Sequence, residues 1–350
     1  MQELLGRLRQ LDPTASASLR VIACFDELMA GGVGTDGLLS AAAALSGSVV
    51  GVRRAENAPE IRIGTQGERL AAAAPTGIVR ESNGMTVWIE APSTDAGPNE
   101  AIIIERLVLA LHVRYDHVDA PLKRDISVIV DHDAAAEDRV AAARRRGLED
   151  GVAYRVVVAP LFALWRTHPR GPEDVVASAV GPVHVAIVAA DAAPVASPLG
   201  VGIASDLNDL DLSFRTALVC LRLAEPGTVS RADDLGGLAE ILADTPANAR
   251  PDRDEAAVAR LVAAHAWAPA TLDALMQAGS VREAARLACI HHSTMTTRVA
   301  VIADELGIAP LDGLGRARLA VAVMRHRMRA SRALELPPPS AKTSGHPLSA

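Results

Sequence analysis

The sequence predicts a multidomain chain in which an α/β part and an α+β part precede a short all-α end. Three observations carry that expectation. Over the first 243 residues, segments with helical spacing of apolar residues alternate with short β-like runs. Between residues 270 and 307 only helical spacing remains. The 350 residues exceed one ordinary core, and 49% hydrophobic with 22% charged content is the composition of a folded chain.

The elements follow in order. Ser18 to Ala30 places Leu19, Ile22, Phe25, Leu28 and Met29 near one helical face. Gly31, Gly32 and Gly34 break it, and a second helix passes through Leu38, Leu39 and Ala42 to Leu45. Short β-like runs come next at Ser48 to Val52, Glu60 to Ile63 and Met85 to Glu90, separated by glycine loops that include Asn83-Gly84. A long helix is expected from Asn99 to His117, whose Leu107 and Leu111 suit either the chain's own sheet or a second copy.

The second part runs from about Asp125 to Ala243. Ile126 to Val130 reads as a buried strand, and Asp133 as the N-cap of a helix over Ala134 to Gly147. Further strands are expected at Tyr154 to Val158, Val183 to Ala189 and Gly200 to Ala204, and helices at Leu212 to Glu225 and Asp233 to Leu242. This order suits an α+β or ferredoxin-like arrangement. The expected divisions are residues 1–120, 121–243, a linker at 244–254, an all-α part at 255–335 and a disordered Pro- and Ser-rich tail at 336–350.

Several function classes lose support on composition. The most apolar stretch, Val175 to Val195, is interrupted by Pro182, His184, Asp191 and Pro194, so no membrane partner is expected. The first residues, Met1 to Pro13, lack the apolar run of a signal peptide. Cys24, Cys220 and Cys289 are odd in number and far apart, which suits a reducing, cytoplasmic setting and argues against a disulfide or zinc framework. The formal charge of −7, taken over the whole chain, argues against nucleic acid, yet it is uneven. Ala270 to Glu335 carries +3 while the preceding 269 residues carry −11.

Residues 270 to 307 hold the clearest local pattern. Thr271 to Gln277 makes one short helix and Val281 to Ala288 a second, whose Ala284 and Ala285 allow close crossing. After a turn at Cys289 to His292, a third helix buries Met295, Val299, Ile302 and Leu306 and ends at Gly307. That leaves His292, Ser293, Thr296, Thr297 and Ala300 largely outward, and the candidate DNA-contacting residues are His292, Ser293, Thr294, Thr296, Thr297 and Arg298. Arg298 suits a phosphate or guanine contact or an ion pair with Asp304; Thr294 suits a phosphate contact or a helix cap. His291-His292 has no further metal ligand nearby, and Asp131-His132-Asp133 reads as a helix start. The arginines of a last helix, Leu314 to Leu334, suit either backbone phosphates or a solvated face.

Gly279, Ala284, Ala285, Ile290, His291, Thr294, Arg298, Ile302 and Gly307 resemble the C-terminal helix-turn-helix of PucR/CdaR-type bacterial transcription regulators. The run His291-His292-Ser293-Thr294-Met295-Thr296-Thr297-Arg298 is similar to that family's core, with Ser293 where Asn is usual and Thr296 and Thr297 where Arg and Tyr are frequent. Gly200-Val201-Gly202-Ile203 followed by Leu210 to Ala224 resembles the close of the family's degenerate GGDEF-like domain, and the first part is similar to a GAF-like sensory domain. The resemblance implies a GAF-like α/β sandwich, a degenerate GGDEF-like α+β domain and an all-α helix-turn-helix. It implies double-stranded DNA as partner, a homodimer or higher homo-oligomer, and a small-molecule effector of unknown identity. A protein–protein assembly module that has lost specific DNA binding is the alternative, motivated by the recognition helix's single firm cation. No P-loop, GxSxG or HExxH run occurs and the GGDEF signature is missing, so no enzyme activity, cofactor or metal is expected.

Overall fold

The computed structural model describes residues 13–54, 60–90, 98–115, 125–225, 228–246 and 249–335. It is a mixed α/β structure, about half helical, with thirteen helices and three sheets among the described residues. The chain divides into two compact units, Met1–Gly236 with Ala333–Ala350, and Gly237–Arg332. None of the helices is long and apolar enough to cross a membrane.

The first unit opens with α1 (Pro13–Ala30) and α2 (Thr35–Ser46), followed by β1 (Val50–Arg54), β2 (Ile61–Ile63), β3 (Arg69–Leu70), β4 (Ile78–Ser82), β5 (Met85–Ile89) and α3 (Pro98–Tyr115). The strands form an antiparallel sheet in the order β3-β2-β1-β5-β4. Asn83 and Gly84 both take positive φ, 50° and 74°, the backbone a two-residue hairpin needs, and so place β4 beside β5. Strand β1 passes under Trp88; a Cβ on Gly51 would stand 2.1 Å from that ring. The three helices close over the sheet with Leu28, Leu38, Ile103, Leu107 and Leu111 fully buried. Leu107 and Leu111 therefore pack on their own chain and offer nothing to a second copy. The end of the expected long helix, His117, lies outside the described residues.

The rest of this unit comprises α4 (Asp125–Ile129), α5 (Ala136–Arg145), β6 (Tyr154–Ala159), β7 (Leu164–Thr167), β8 (Glu173–Ser178), β9 (Gly181–Ala189), β10 (Val195–Ser197), β11 (Leu199–Val201), α6 (Leu210–Leu223), β12 (Val229–Arg231) and α7 (Ala232–Leu235). A five-stranded sheet runs β12-β11-β6-β9-β8, antiparallel except where β11 and β12 run parallel. One face packs Val156, Val158, Val185 and Ile187 on Phe214 and Leu221 of α6, with α4 and α5 alongside. The other packs Val157, Ala186, Val188 and Val201 on Trp165 of β7. Because both faces are covered, β9 reads as a nearly unbroken apolar run with no alternation.

Several expectations change here. Ile126 to Val130 is not a strand: Asp125–Ile129 is the helix α4, with Ile126 and Ile129 buried. A short apolar run serves a buried strand or one buried helical turn equally well, and periodicity over five residues cannot separate them. Asp133 is not an N-cap. Asp131 accepts its backbone N–H at 3.0 Å, and α5 starts after Ala135 without a side-chain cap. The helix expected over Asp233 to Leu242 is broken at Gly236, whose φ is +54°. Strands β3, β4, β7, β8, β10 and β12 lie outside the expected runs, and the Gly200 to Ala204 strand stops at Val201.

The second unit is all-α: α8 (Gly237–Ala243), α9 (Arg253–Ala264), α10 (Ala268–Gln277), α11 (Val281–Leu287), α12 (His292–Leu306) and α13 (Gly313–Ala330). Its core gathers Val258, Leu261, Leu272, Leu275, Met295, Ile302, Leu319 and Val323, with Ala284 and Ala285 at the crossing of α11 and α12. The tail expected at 336–350 lies outside the described residues.

Candidate nucleic-acid interface

The candidate interface is built on α10, α11 and α12. Ser280 caps α11 by accepting the Glu283 N–H at 3.2 Å, while Glu283 Oε2 accepts the Gly279 N–H at 2.7 Å, a reciprocal start that fixes the entry of the chain. Cys289 turns the chain with φ at +50°. His291 then caps α12: its Nδ1 accepts the Ser293 N–H at 3.3 Å and lies 2.7 Å from Ser293 Oγ. With Nδ1 accepting, the ring proton is assigned to Nε2 and the hydroxyl donates. Gly307, with φ +63°, closes the helix as expected.

Burial of Met295, Ile302 and Leu306 turns the opposite side of α12 to solvent. His292, Ser293, Thr294, Thr296, Thr297 and Ala300 are exposed there. Thr296 Oγ1 donates to the His292 carbonyl at 2.9 Å and Thr297 Oγ1 to the Ser293 carbonyl at 3.1 Å. Each hydroxyl proton is spent inside the helix, so what these side chains present outward is an oxygen acceptor and a methyl group. Thr294 is exposed and does not cap α12, a task that falls to His291.

Arg298 is placed differently from its neighbours. Its guanidinium lies 5.0 Å from the Trp267 ring centroid and donates to Thr271 Oγ1 at 3.0 Å. It ties α12 to the start of α10 and does not pair with Asp304. The arginines of α13 also work inside the unit. Arg318 holds Asp254 through two hydrogen bonds of 2.8 and 2.7 Å, Arg325 pairs with Asp252, Arg327 with Asp273, and Arg329 with Glu255 at 2.5 Å. Arg316 donates to the Ala278 carbonyl at 2.5 Å. The Arg318 hydrogen bonds hold the Asp254 carboxyl below the usual carboxylate range. These pairs fasten α13 to α9 and α10.

Two further cations, outside the sequence expectations, lie on the preceding helix. Arg282 and Arg286 stand four apart on α11, both exposed and with no side-chain partner among the described residues. Their spacing, one helical turn on the helix before α12, was present in the sequence as a signal. Among the described residues no group of three or more His, Cys, Asp or Glu side chains is arranged for a metal ion. His132 Nδ1 lies 3.0 Å from Asp211 Oδ2.

The first unit contains a cleft of about 600 Å³, with Val176 and Phe214 on its apolar wall and Asp36, Arg69, His132 and Arg215 among its polar lining. Arg69 pairs there with Asp36 at 2.8 Å.

Neither a protein-family profile nor a curated protein matches this chain. Among solved structures it is similar to the crystal structure of a regulator of polyketide synthase expression from Bifidobacterium adolescentis. The identity is 13%, 59% of this chain and 96% of that chain are covered, and the TM-score is 0.23. A likeness at that TM-score carries no argument about fold or function.

Proposed function

We propose that the chain is an effector-responsive transcriptional regulator of the PucR/CdaR type that reads duplex DNA with the C-terminal helix-turn-helix as a dimer. The observation that carries this reading is the solvent face of α12, where His292, Ser293, Thr296, Thr297 and Ala300 stand together on a helix packed through small residues onto α11. A helix so exposed fits a major groove. The acceptor oxygens of Ser293, Thr296 and Thr297 meet the amino groups of adenine or cytosine there, and the threonine methyls meet thymine. Arg282 and Arg286 supply the phosphate contacts that the α12 face itself lacks. Two copies would place their α12 helices about 34 Å apart, one turn of duplex or a multiple. The cleft in the first unit has the volume and the apolar wall with polar rim of a small-molecule site, which supports effector control.

Mobility-shift titration against the DNA upstream of the protein's own gene tests the reading. Wild-type chain is expected to bind it more tightly than random DNA, and R282A/R286A to lower the slope of log affinity against log salt by about two. Binding no tighter than to random DNA at any salt or effector condition sinks the regulator reading. The sparse charge of α12 favours the second reading, an assembly module of the same fold; there R282A/R286A leaves DNA retention unchanged.

A further inference from the structure

A chain of titratable groups, buried at its sheet end and part-exposed at its helix end, joins the N-terminal helices to the edge of the second sheet. Glu173, at the start of the edge strand β8, is 4% exposed and His184 on β9 is 2% exposed. His184 Nε2 lies 2.7 Å from Glu173 Oε2. His168 completes the chain from the loop after β7: its Nε2 is 2.7 Å from Glu173 Oε1 and its Nδ1 is 3.1 Å from Glu27 Oε2 on α1. Trp165 packs against both imidazoles, with ring centroids 6.1 Å and 5.5 Å away. The backbone makes room for this chain. A Cβ on Gly31 would stand 2.3 Å from the Glu173 carboxyl carbon, and one on Gly37 would stand 2.3 Å from Asp174 Oδ1. The glycines after α1 are therefore seats for two buried carboxylates.

The inventory of protons decides what His168 does. A neutral imidazole carries one N–H and one lone pair, whereas both nitrogens of His168 face carboxylate oxygens, which only accept. With both carboxyls ionised, both contacts are hydrogen bonds only when the ring is an imidazolium. We infer that His168 is a proton-operated clamp between α1 and the β8–β9 edge: the charged ring bridges Glu27 and Glu173, and loss of its proton turns a lone pair toward one carboxylate and opens the Glu27 side. Glu27 is the side that opens because it is part-exposed and, among the described residues, bridges to the sheet through His168 alone, while Glu173 is buried with a second imidazole. The other titratable groups around it are the Cys24 thiol on α1 beside Glu27, and Asp174 next to Glu173, which Arg146 and Asp36 face in turn. None of these donates a proton to Glu27 or Glu173. Imidazole is the side chain whose unperturbed charge change lies closest to neutral pH. The clamp closes as pH falls and opens as pH rises.

The E27Q variant gives the test its sign. A glutamine amide donates to the lone pair that a neutral His168 presents, so E27Q holds the bridge without the extra proton. Hydrogen exchange of the α1 and β8 amides in the full chain, corrected for intrinsic exchange, is followed from about pH 5.5 to 8. The wild type is expected to lose about tenfold in protection across that range, the scale of one charge-assisted hydrogen bond, and E27Q to stay level. Nitrogen-15 spectra of the histidines read the state directly: both His168 nitrogens protonated while protection is high, and one nitrogen bare after it falls. Equal pH profiles for wild type and E27Q, or a His168 that is neutral while α1 is fully protected, overturn the clamp. The wild-type titration needs no variant to fold. The clamp does not depend on the DNA reading, since DNA plays no part in the measurement.

Discussion

The Arg298 guanidinium lies 5.0 Å from the Trp267 ring centroid and donates to the fully buried Thr271 hydroxyl, so the one arginine of α12 braces that helix against α10 from within. R298A removes a cation–π contact and leaves the Thr271 oxygen without that donor. The unfolding midpoint is expected to fall by the equivalent of about 1–2 kcal/mol. R298K, which keeps the charge and loses the planar fork, recovers only part of it. Chemical denaturation of the three proteins checks this. Undiminished stability in R298A together with lost DNA affinity would place the guanidinium on DNA instead.

Thiol chemistry follows from burial. Burial first, then neighbouring Glu27, pushes the Cys24 thiol up to about 12, and burial does the same to Cys220. Cys289 is exposed. A thiol-specific chromogenic reagent at pH 8 is expected to label one of the three cysteines rapidly in the folded protein and all three after denaturation. Two fast equivalents in the folded state would contradict the packing of α1 or α6.

The elements legible in the sequence were those with an unambiguous period. The stripe Met295, Val299, Ile302 and Leu306 gave α12 and its closure at Gly307, and the stretch from Ser18 gave α1. Ile126 to Val130 misled because five apolar residues make either a strand or one buried turn. Strand β8 was hidden by Glu173 and Asp174 at its head, which read as solvent-facing yet sit in glycine seats supplied some 140 positions earlier, as the Asp174–Gly34 hydrogen bond records. The solvent face of α12 was readable, since it is the complement of the apolar stripe. The roles of its neighbours were not. That Arg298, at the edge of the apolar stripe between Met295 and Ile302, meets Trp267, and that α13 spends its arginines on Asp252, Asp254, Asp273 and Glu255, are consequences of tertiary placement.

Cys289 occupies the turn between α11 and α12 in a left-handed conformation, φ +50°, which costs a residue with a Cβ of the order of 1 kcal/mol or more. C289G relieves that strain while giving the unfolded chain more freedom, two effects of similar size. The variant is therefore expected to match the wild type in stability or exceed it by up to about 1 kcal/mol. C289V places a β-branched side chain where it fits worst and is expected to lose about 1–2 kcal/mol. Denaturation midpoints rank the three. A valine variant as stable as wild type would show that the turn relaxes out of the left-handed region.

Asp174 yields a pH dependence of defined sign. Burial raises its carboxyl above the ordinary value, and the N–H groups of Val175 and Gly34 only partly oppose that. A carboxyl raised in the folded state favours the protonated form there. Its contribution to stability is complete below the unfolded value, about 3.9, and is lost as pH rises through the folded one. Asn at this position is neutral throughout and its side-chain oxygen still accepts from Gly34. D174N therefore carries any packing cost equally at every pH, while the wild type alone bears the burial of a charge at neutral pH. The melting temperature of D174N minus that of wild type is expected to become more positive by a few degrees between about pH 4 and pH 8. Using the difference cancels the His168 clamp, which both proteins retain. A gap that stays constant or shrinks over that interval would mean that the ionised carboxylate is fully satisfied by its two N–H donors, and that Gly34 and Gly37 are spaced to hold a charge.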